Sequence, residues 1–275
     1  ALLERKGARV VLVTTKGFRD ILLIGNQQRP DLFSLPIHKE PPLYSAVIEV
    51  DGRVSSEGDI IAPITIPSSF LSRVRKRRFD AIALALLNSY KNPAQEQLLS
   101  KALGKHGDPY VSLSSDLSSH IGFLSRVQTT VVNAYLQPII KQYVESITRE
   151  LGQPFLVMTS SGGLVHASTY QPKDSLLSGP AGGVTGALIK AKQSGVTKII
   201  TFDMGGTSTD VSLCNGRPEF RFESRVGPHT ILSPSIAIET IAAGGGSICG
   251  FDGHRFTVGP ESAGAEPGPA CYGKG

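Results

Sequence analysis

One phrase constrains this chain more than any other: Ile199-Ile200-Thr201-Phe202-Asp203-Met204-Gly205-Gly206-Thr207-Ser208-Thr209-Asp210-Val211. It reads as a buried apolar strand that ends in an acid, turns through two glycines, and returns as a strand carrying hydroxyls and a second acid. The glycines let backbone N–H groups come close to a ligand, and such a turn can form an anion-binding nest. Thr207, Ser208 and Thr209 add hydroxyl donors. Asp203 and Asp210 are candidate holders of Mg2+, directly or through water, because Mg2+ takes few carboxylates and fills its shell with phosphate oxygens and water. A tight hairpin with polar tips would explain the same residues without a ligand. Two acids flanking Gly-Gly-Thr after an apolar strand weigh against that plain reading.

Other nucleotide and catalytic signatures are absent from the sequence. It holds no Gly-x-x-x-x-Gly-Lys-Ser/Thr loop and no Gly-x-Gly-x-x-Gly after a strand. It also holds no Gly-x-Ser-x-Gly elbow and no His-Glu-x-x-His helix. A second glycine cluster, Ala243-Gly244-Gly245-Gly246-Ser247, would let the backbone pass close to a ligand, although glycine-rich turns are common without one. Ser178-Gly179-Pro180-Ala181-Gly182-Gly183 opens a helix that could bind an anion or simply pack closely, and packing is the slightly favoured reading.

Strands and helices alternate along the chain, which indicates an α/β fold. Strands are expected over 9–14, 46–50, 81–87, 110–113, 155–158 and 198–203. Helices are expected over 16–25, 64–77 (with Ser68 or Ser69 as N-cap), 92–104 and 178–193. A long helix is expected over 129–151. Its Val131, Tyr135, Ile139, Tyr143 and Ile147 stripe lies beside Val132, Leu136, Ile140 and Val144, giving a broad buried face. Pro138 should kink that helix or shift its start, and Gly152 should stop it. Residues 211–213 are expected to pair with 219–222 across Asn215-Gly216, a hairpin signal. A domain boundary is expected near residue 150, giving domains of 1–150 and 151–275.

The 275 residues suffice for one large domain or two smaller ones, and 19% charge with 40% hydrophobic content suits a soluble globular protein. The longest apolar stretch, 81–87, is far too short to span a membrane. Net charge is +5, and the basic run Arg73-Val74-Arg75-Lys76-Arg77-Arg78 lacks the aromatic or motif context of a nucleic-acid surface, so it reads as a solvated helix end. Cys214, Cys249 and Cys271 make neither a disulfide framework nor a zinc pattern, and free thiols suit a reducing cytoplasm. Cys271 reads as a buried thiol, with no activating base in view. The chain starts at Ala1 rather than Met and ends at Gly275 inside a glycine-rich phrase, so it reads as a piece of something longer.

The phrase around Asp203 resembles the second phosphate loop of the actin/Hsp70/sugar-kinase superfamily, and more closely that loop in the hydantoinase A/5-oxoprolinase family. Leu2-Leu3-Glu4-Arg5-Lys6-Gly7, Thr14-Thr15-Lys16-Gly17-Phe18-Arg19-Asp20, Thr130-Val131-Val132-Asn133-Ala134-Tyr135 and Ser178 to Gly183 carry the likeness further. Ala243 to Ile248 and Gly259 to Gly273 complete it. The resemblance implies actin-like ATPase (ribonuclease H-like) lobes, mixed sheets flanked by helices. It also implies an ATP- and Mg2+-dependent enzyme that opens a small cyclic amide of the hydantoin or 5-oxoproline type by phosphorylating its carbonyl. Asp203 and Asp210 would then be catalytic and metal-holding, Gly205, Gly206, Thr207, Ser208 and Thr209 would hold phosphate, and Gly244, Gly245, Gly246 and Ser247 would lie on the adenosine side. A hydantoinase B-like subunit or domain, an oligomeric assembly and a cytoplasmic location are implied as well, with no role for nucleic acid or membrane. A sugar or small-acid kinase, or a non-catalytic nucleotide-binding module, are the alternatives. The family's first phosphate loop, a similar Asp-x-Gly-Gly-Thr-x-x-Asp phrase, does not occur in this sequence, so the piece alone is expected to be inactive. Gly122-Phe123-Leu124-Ser125-Arg126 also departs from the acidic-aromatic phrase the family often carries there.

Overall fold

The computed structural model describes residues 1–28, 39–66, 79–103 and 110–266, with positions 33, 35, 70, 72, 74, 268, 269 and 273. The expected helix of 64–77 with its cap, the basic run of 73–78 and Cys271 lie wholly or mostly outside the described residues. The chain forms two compact units. The first comprises Ala1–Val157, His166–Leu176 and Phe222–Ser233, and the second Met158–Val165, Leu177–Arg221 and Pro234–Gly275.

The first unit is built on a four-stranded sheet in the order β2-β1-β3-β4, from β1 (Val10–Thr15), β2 (Tyr44–Val50), β3 (Ala81–Ala85) and β4 (Tyr110–Leu113). All neighbours run parallel, with Val11 opposite Ile82 and Leu12 opposite Ala83. A parallel sheet is covered on both faces, which is why β1 reads as an unbroken apolar run rather than an alternation. Val10, Leu12, Ala81, Ala83 and Ala85 face the long helix α2 (Phe123–Leu151) through Val127, Val131, Ala134 and Tyr135. Val11, Val13, Ile82 and Leu84 face Leu99 and Leu103 of helix α1 (Ala94–Leu103). The helix expected over 16–25 is reduced to Ile21–Ile24. The sheet claims the residues before it: the Lys16 N–H donates to Val50 O and the Gly17 N–H to Glu49 Oε1.

Helix α2 runs Phe123–Leu151, so it begins upstream of the expected 129, and Pro138 sits inside it. Gly152 ends it in the left-handed conformation, as expected. The broad buried face holds only as far as Leu136, while Ile139 and Tyr143 are exposed. Length explains the difference. A strand such as β3 spans roughly 16 Å, which about eleven helical residues cover, so a 29-residue helix outruns the sheet beneath it.

Near its start α2 carries Arg126, which is wholly buried. Its Nη1 donates to Ser89 Oγ (2.7 Å) and Ser114 Oγ (2.9 Å). Buried Glu96 of α1 accepts from Ser114 Oγ (2.7 Å) and from the N–H groups of Leu86 (2.8 Å) and Ser115 (2.9 Å). Guanidinium and carboxylate are thus linked through Ser114. Burial pushes Arg126 below its usual range, and nearby Glu96 opposes that shift.

The second unit holds helix α3 (Ser178–Gln193) and an antiparallel sheet ordered β7-β6-β5. Its strands are β5 (Lys198–Met204), β6 (Thr209–Asn215) and β7 (Glu239–Ile241). Ala181, Val184 and Leu188 of α3 pack with Ile199, Cys214, Ile236 and Ile238. The other sheet face presents Ile200, Phe202, Met204, Leu213 and Ile241, with Ile200 71% and Phe202 66% exposed. The strand expected to be buried is therefore covered by α3 on one face only, among the described residues.

The expected Asn215-Gly216 hairpin does not form a ladder. Both edges of β6 are taken, by β5 and β7, and Phe220–Arg221 pairs instead with Ser235–Ile236. What remains at the turn is a single bridge between Cys214 and Pro218, with the Asn215 N–H donating to Arg217 O at 3.1 Å. Pro218 has no N–H with which to extend it. The hairpin in this region is β5–β6 itself, joined by residues 205–208.

Candidate functional site

All the site residues expected from the sequence fall in the second unit. The β5–β6 register places Met204 opposite Thr209 and Asp203 opposite Asp210. Facing residues of antiparallel strands share one sheet face with Cβ atoms about 5 Å apart, and like charges in that position repel. Neither carboxylate forms an ion pair with a protein cation among the described residues. Helix α3 passes beside the first of them: a Cβ on Gly183 would stand 3.5 Å from Asp203 Oδ2.

Between the two acids the turn is tight. The Gly205 N–H donates to Ser208 O at 2.9 Å, while the N–H groups of Gly206, Thr207 and Ser208 donate to no acceptor among the described residues. Consecutive unused donors beside a sheet end are the elements of an anion nest. The carboxylate pair fits Mg2+ in a limited way. No cluster of three or more His, Cys, Asp or Glu suited to a metal stands among the described residues. Two acids would hold the ion only with water and phosphate oxygens completing its shell, which is the shell Mg2+ prefers.

The second glycine cluster lies directly on this turn. The Gly245 N–H donates to Gly205 O (2.9 Å) and the Gly246 N–H to Gly206 O (2.7 Å). A Cβ on Gly244 would fall 2.6 Å from Gly205 O and 2.8 Å from the Gly206 carbonyl carbon. Gly244 is therefore a glycine because another backbone occupies the space of a side chain. Ser247 Oγ accepts the Gly244 N–H at 2.8 Å, and Thr209 Oγ1 donates to Ala243 O at 2.6 Å. Strands β8 (Ser247–Phe251) and β9 (Phe256–Ser262) continue from the cluster, and Ser262 Oγ and the Ala263 N–H both donate to Gly246 O. Thr209, Gly244, Gly245, Gly246 and Ser247 thus brace the turn, while the N–H groups of Gly206, Thr207 and Ser208 keep no acceptor among the described residues.

Thr240 of β7 was not singled out by the sequence. Its Oγ1 donates to Asp210 Oδ1 at 2.5 Å. Cys214, farther along β6, has its thiol pushed up by burial, which keeps it protonated and poorly nucleophilic.

The profile of the Hydantoinase/oxoprolinase family matches residues 126–275, and that of the Hydantoinase/oxoprolinase N-terminal region matches residues 1–107. The chain is 41% identical to the 5-oxoprolinase of Saccharomyces cerevisiae, over 99% of this chain and 24% of that protein. It is 35% identical to the caprolactamase subunit alpha of Pseudomonas jessenii, over 100% of this chain and 42% of that one. The crystal structure of the ATP-dependent caprolactamase from Pseudomonas jessenii is similar at 33% identity with a TM-score of 0.80, covering 100% of this chain and 42% of that chain. The chain spans about a quarter of the length of the yeast relative and under half that of the bacterial one.

Proposed function

The chain belongs to the hydantoinase/oxoprolinase family and has the α/β architecture of actin-like ATPase lobes, and on that basis we propose that it is part of an ATP-dependent enzyme that opens a small cyclic amide. The observation that carries this reading is the Asp203–Asp210 pair facing across β5 and β6, joined by a turn with three N–H groups that have no acceptor among the described residues. In this reading the Gly206, Thr207 and Ser208 N–H groups receive the ATP phosphates, and Asp203 and Asp210 hold Mg2+ directly or through water. Gly244 to Ser247 keep the turn in shape on the adenosine side. Mg2+ there would neutralise charge on the phosphate oxygens.

An amide carbonyl is a poor electrophile. Transfer of the γ-phosphoryl group to its oxygen, with ADP leaving, makes the carbon open to water and converts that oxygen into part of a leaving group. Water then adds to that carbon, the ring C–N bond breaks as its nitrogen takes a proton, and a second water hydrolyses the acyl phosphate so formed to carboxylate and phosphate. The protein's share is donor N–H groups fixed before charge moves, so that no reorganisation is needed during transfer. A hydantoin, 5-oxoproline or a related lactam is the substrate class. A hydantoinase B-like subunit or domain is the proposed partner, in keeping with the designation of the bacterial relative as a subunit alpha. Cys214 and Cys249 are free thiols, which supports assignment to the cytoplasm. Among the described residues no helix is long and apolar enough to cross a membrane.

The test is an assay of the complete polypeptide, with and without that partner, on ATP with 5-oxoproline, hydantoin and a simple lactam. Coupled ADP release and ring opening are expected. A phosphorylated product with the ring closed would indicate a kinase instead. ATP binding without any turnover would indicate a nucleotide-binding module.

A further inference from the structure

Asp203, Asp210 and Thr240 stand in one row across three strands, because Asp210 faces Asp203 on β5 and Thr240 on β7. Facing residues share a sheet face, so the hydroxyl and both carboxylates belong to one surface. The Thr240 hydroxyl donates to Asp210 Oδ1 at 2.5 Å, a short hydrogen bond. Thr240 is a β-branched residue on a strand, so its hydroxyl has few positions to choose from. Strand β7 is held against β6 on either side of this contact. Thr209 Oγ1 reaches Ala243 O at 2.6 Å, and Ser212 Oγ reaches Ala237 O at 2.8 Å.

A lone pair of facing carboxylates has no reason to hold the geometry a cation needs, since repulsion turns the groups apart. We propose that Thr240 is a positioning residue for Asp210, fixing Oδ1 and leaving Oδ2 for the cation bound between Asp203, Asp210 and the nucleotide phosphates. This rests on the phosphate-site reading above and adds to it a residue thirty positions beyond Asp210 in the chain. Groups that orient a metal's ligands typically change metal affinity by about 10- to 100-fold when removed.

The experiment uses the complete polypeptide and a fluorescent ATP analogue whose anisotropy is followed as Mg2+ is raised. Thr240→Val keeps the branched shape and removes the hydroxyl. It should raise the Mg2+ needed for half-maximal binding about tenfold or more, as should Asp210→Asn. Binding of the analogue without Mg2+ and the melting temperature should stay at the wild-type values in Thr240→Val. Thr240→Ser, which restores a hydroxyl, should return the Mg2+ dependence close to wild type. A wild-type Mg2+ dependence in Thr240→Val beside a shifted Asp210→Asn would overturn the role of Thr240 and leave the phosphate site standing. Equal shifts in the Val and Ser variants, or a matching loss of metal-free binding, would show that the effect is structural and overturn it too. No shift in Asp203→Asn or Asp210→Asn would remove the phosphate-site reading and this inference together.

Discussion

Replacing Gly244 by alanine should damage the candidate site more than replacing Gly205, Gly206, Gly245 or Gly246. A Cβ there meets Gly205 O at 2.6 Å, the Gly206 carbonyl carbon at 2.8 Å and Gly206 O at 2.9 Å. All three are backbone atoms, so no side chain can rotate aside and the two loops must part. Parting them breaks the Gly245 to Gly205 and Gly246 to Gly206 hydrogen bonds. Overpacking of this kind costs about 1–3 kcal/mol and each lost bond about 0.5–1.5 kcal/mol, for a local loss of roughly 2–6 kcal/mol. The assay is amide-resolved hydrogen exchange of Gly245 and Gly246 in the complete protein, where 2 kcal/mol appears as about thirtyfold faster exchange. Gly246→Ala, with 3.0 Å contacts to Gly206 O and Ser262 Oγ, should show a smaller effect. Gly245→Ala, with its nearest neighbour at 3.8 Å, and Gly206→Ala, with none within 4 Å, should be close to neutral for stability. Wild-type exchange in Gly244→Ala, or a larger effect from Gly206→Ala, would refute the bracing role of the cluster.

Arg126→Met should lower the chemical-denaturation midpoint, because it removes two guanidinium hydrogen bonds, to Ser89 and Ser114, each worth about 1.5–3 kcal/mol, and with them the link through Ser114 to buried Glu96. An unchanged midpoint would contradict that network. His229 has its pKa lowered, chiefly by burial and then by nearby Arg5, with Glu40 opposing. Its neutral form is favoured in the folded protein, so its cost is absent above about pH 6.5 and grows as pH falls below that value towards the lowered folded-state pKa. Melting temperature followed from pH 7.5 down to 5 should therefore fall less steeply in His229→Gln than in wild type, and parallel curves would exclude the effect. Asp203→Ala should abolish Mg2+-dependent ATP turnover by the complete protein without lowering its melting temperature, since the side chain is exposed and pairs with no cation among the described residues. Undiminished turnover would contradict its role.

The sequence disclosed most where local pattern and tertiary role coincide. The runs at 10–15 and 81–85 are apolar throughout because both faces of the parallel sheet are covered, and Ser178 to Gln193 could be delimited by its glycine-rich start. The β5–β6 turn was legible because acid, glycine and hydroxyl residues are adjacent in the chain. Misreadings came where a competing partner decided. Asn215-Gly216 carries a hairpin signal, yet β7 and β5 already occupy both edges of β6. The second half of α2 keeps its apolar periodicity although the strands below it have ended. Thr240 could not be found by motif, since its meaning lies in a cross-strand contact with a residue far away in sequence. Gly244 was noticed for the right property, close approach, but the approaching group is the backbone of residues 205 and 206.

The central claim is that the turn between Asp203 and Asp210 receives the phosphates of Mg2+-bound ATP. Amide hydrogen exchange of the complete protein, with and without Mg2+ and a non-hydrolysable ATP analogue, tests it directly. The N–H groups of Gly206, Thr207 and Ser208, which have no acceptor among the described residues, should gain protection when nucleotide is added. Those of Gly245 and Gly246, already bonded to Gly205 and Gly206, should change little. Nucleotide bound at saturation with no added protection at 206–208 would place the phosphates elsewhere and contradict the account.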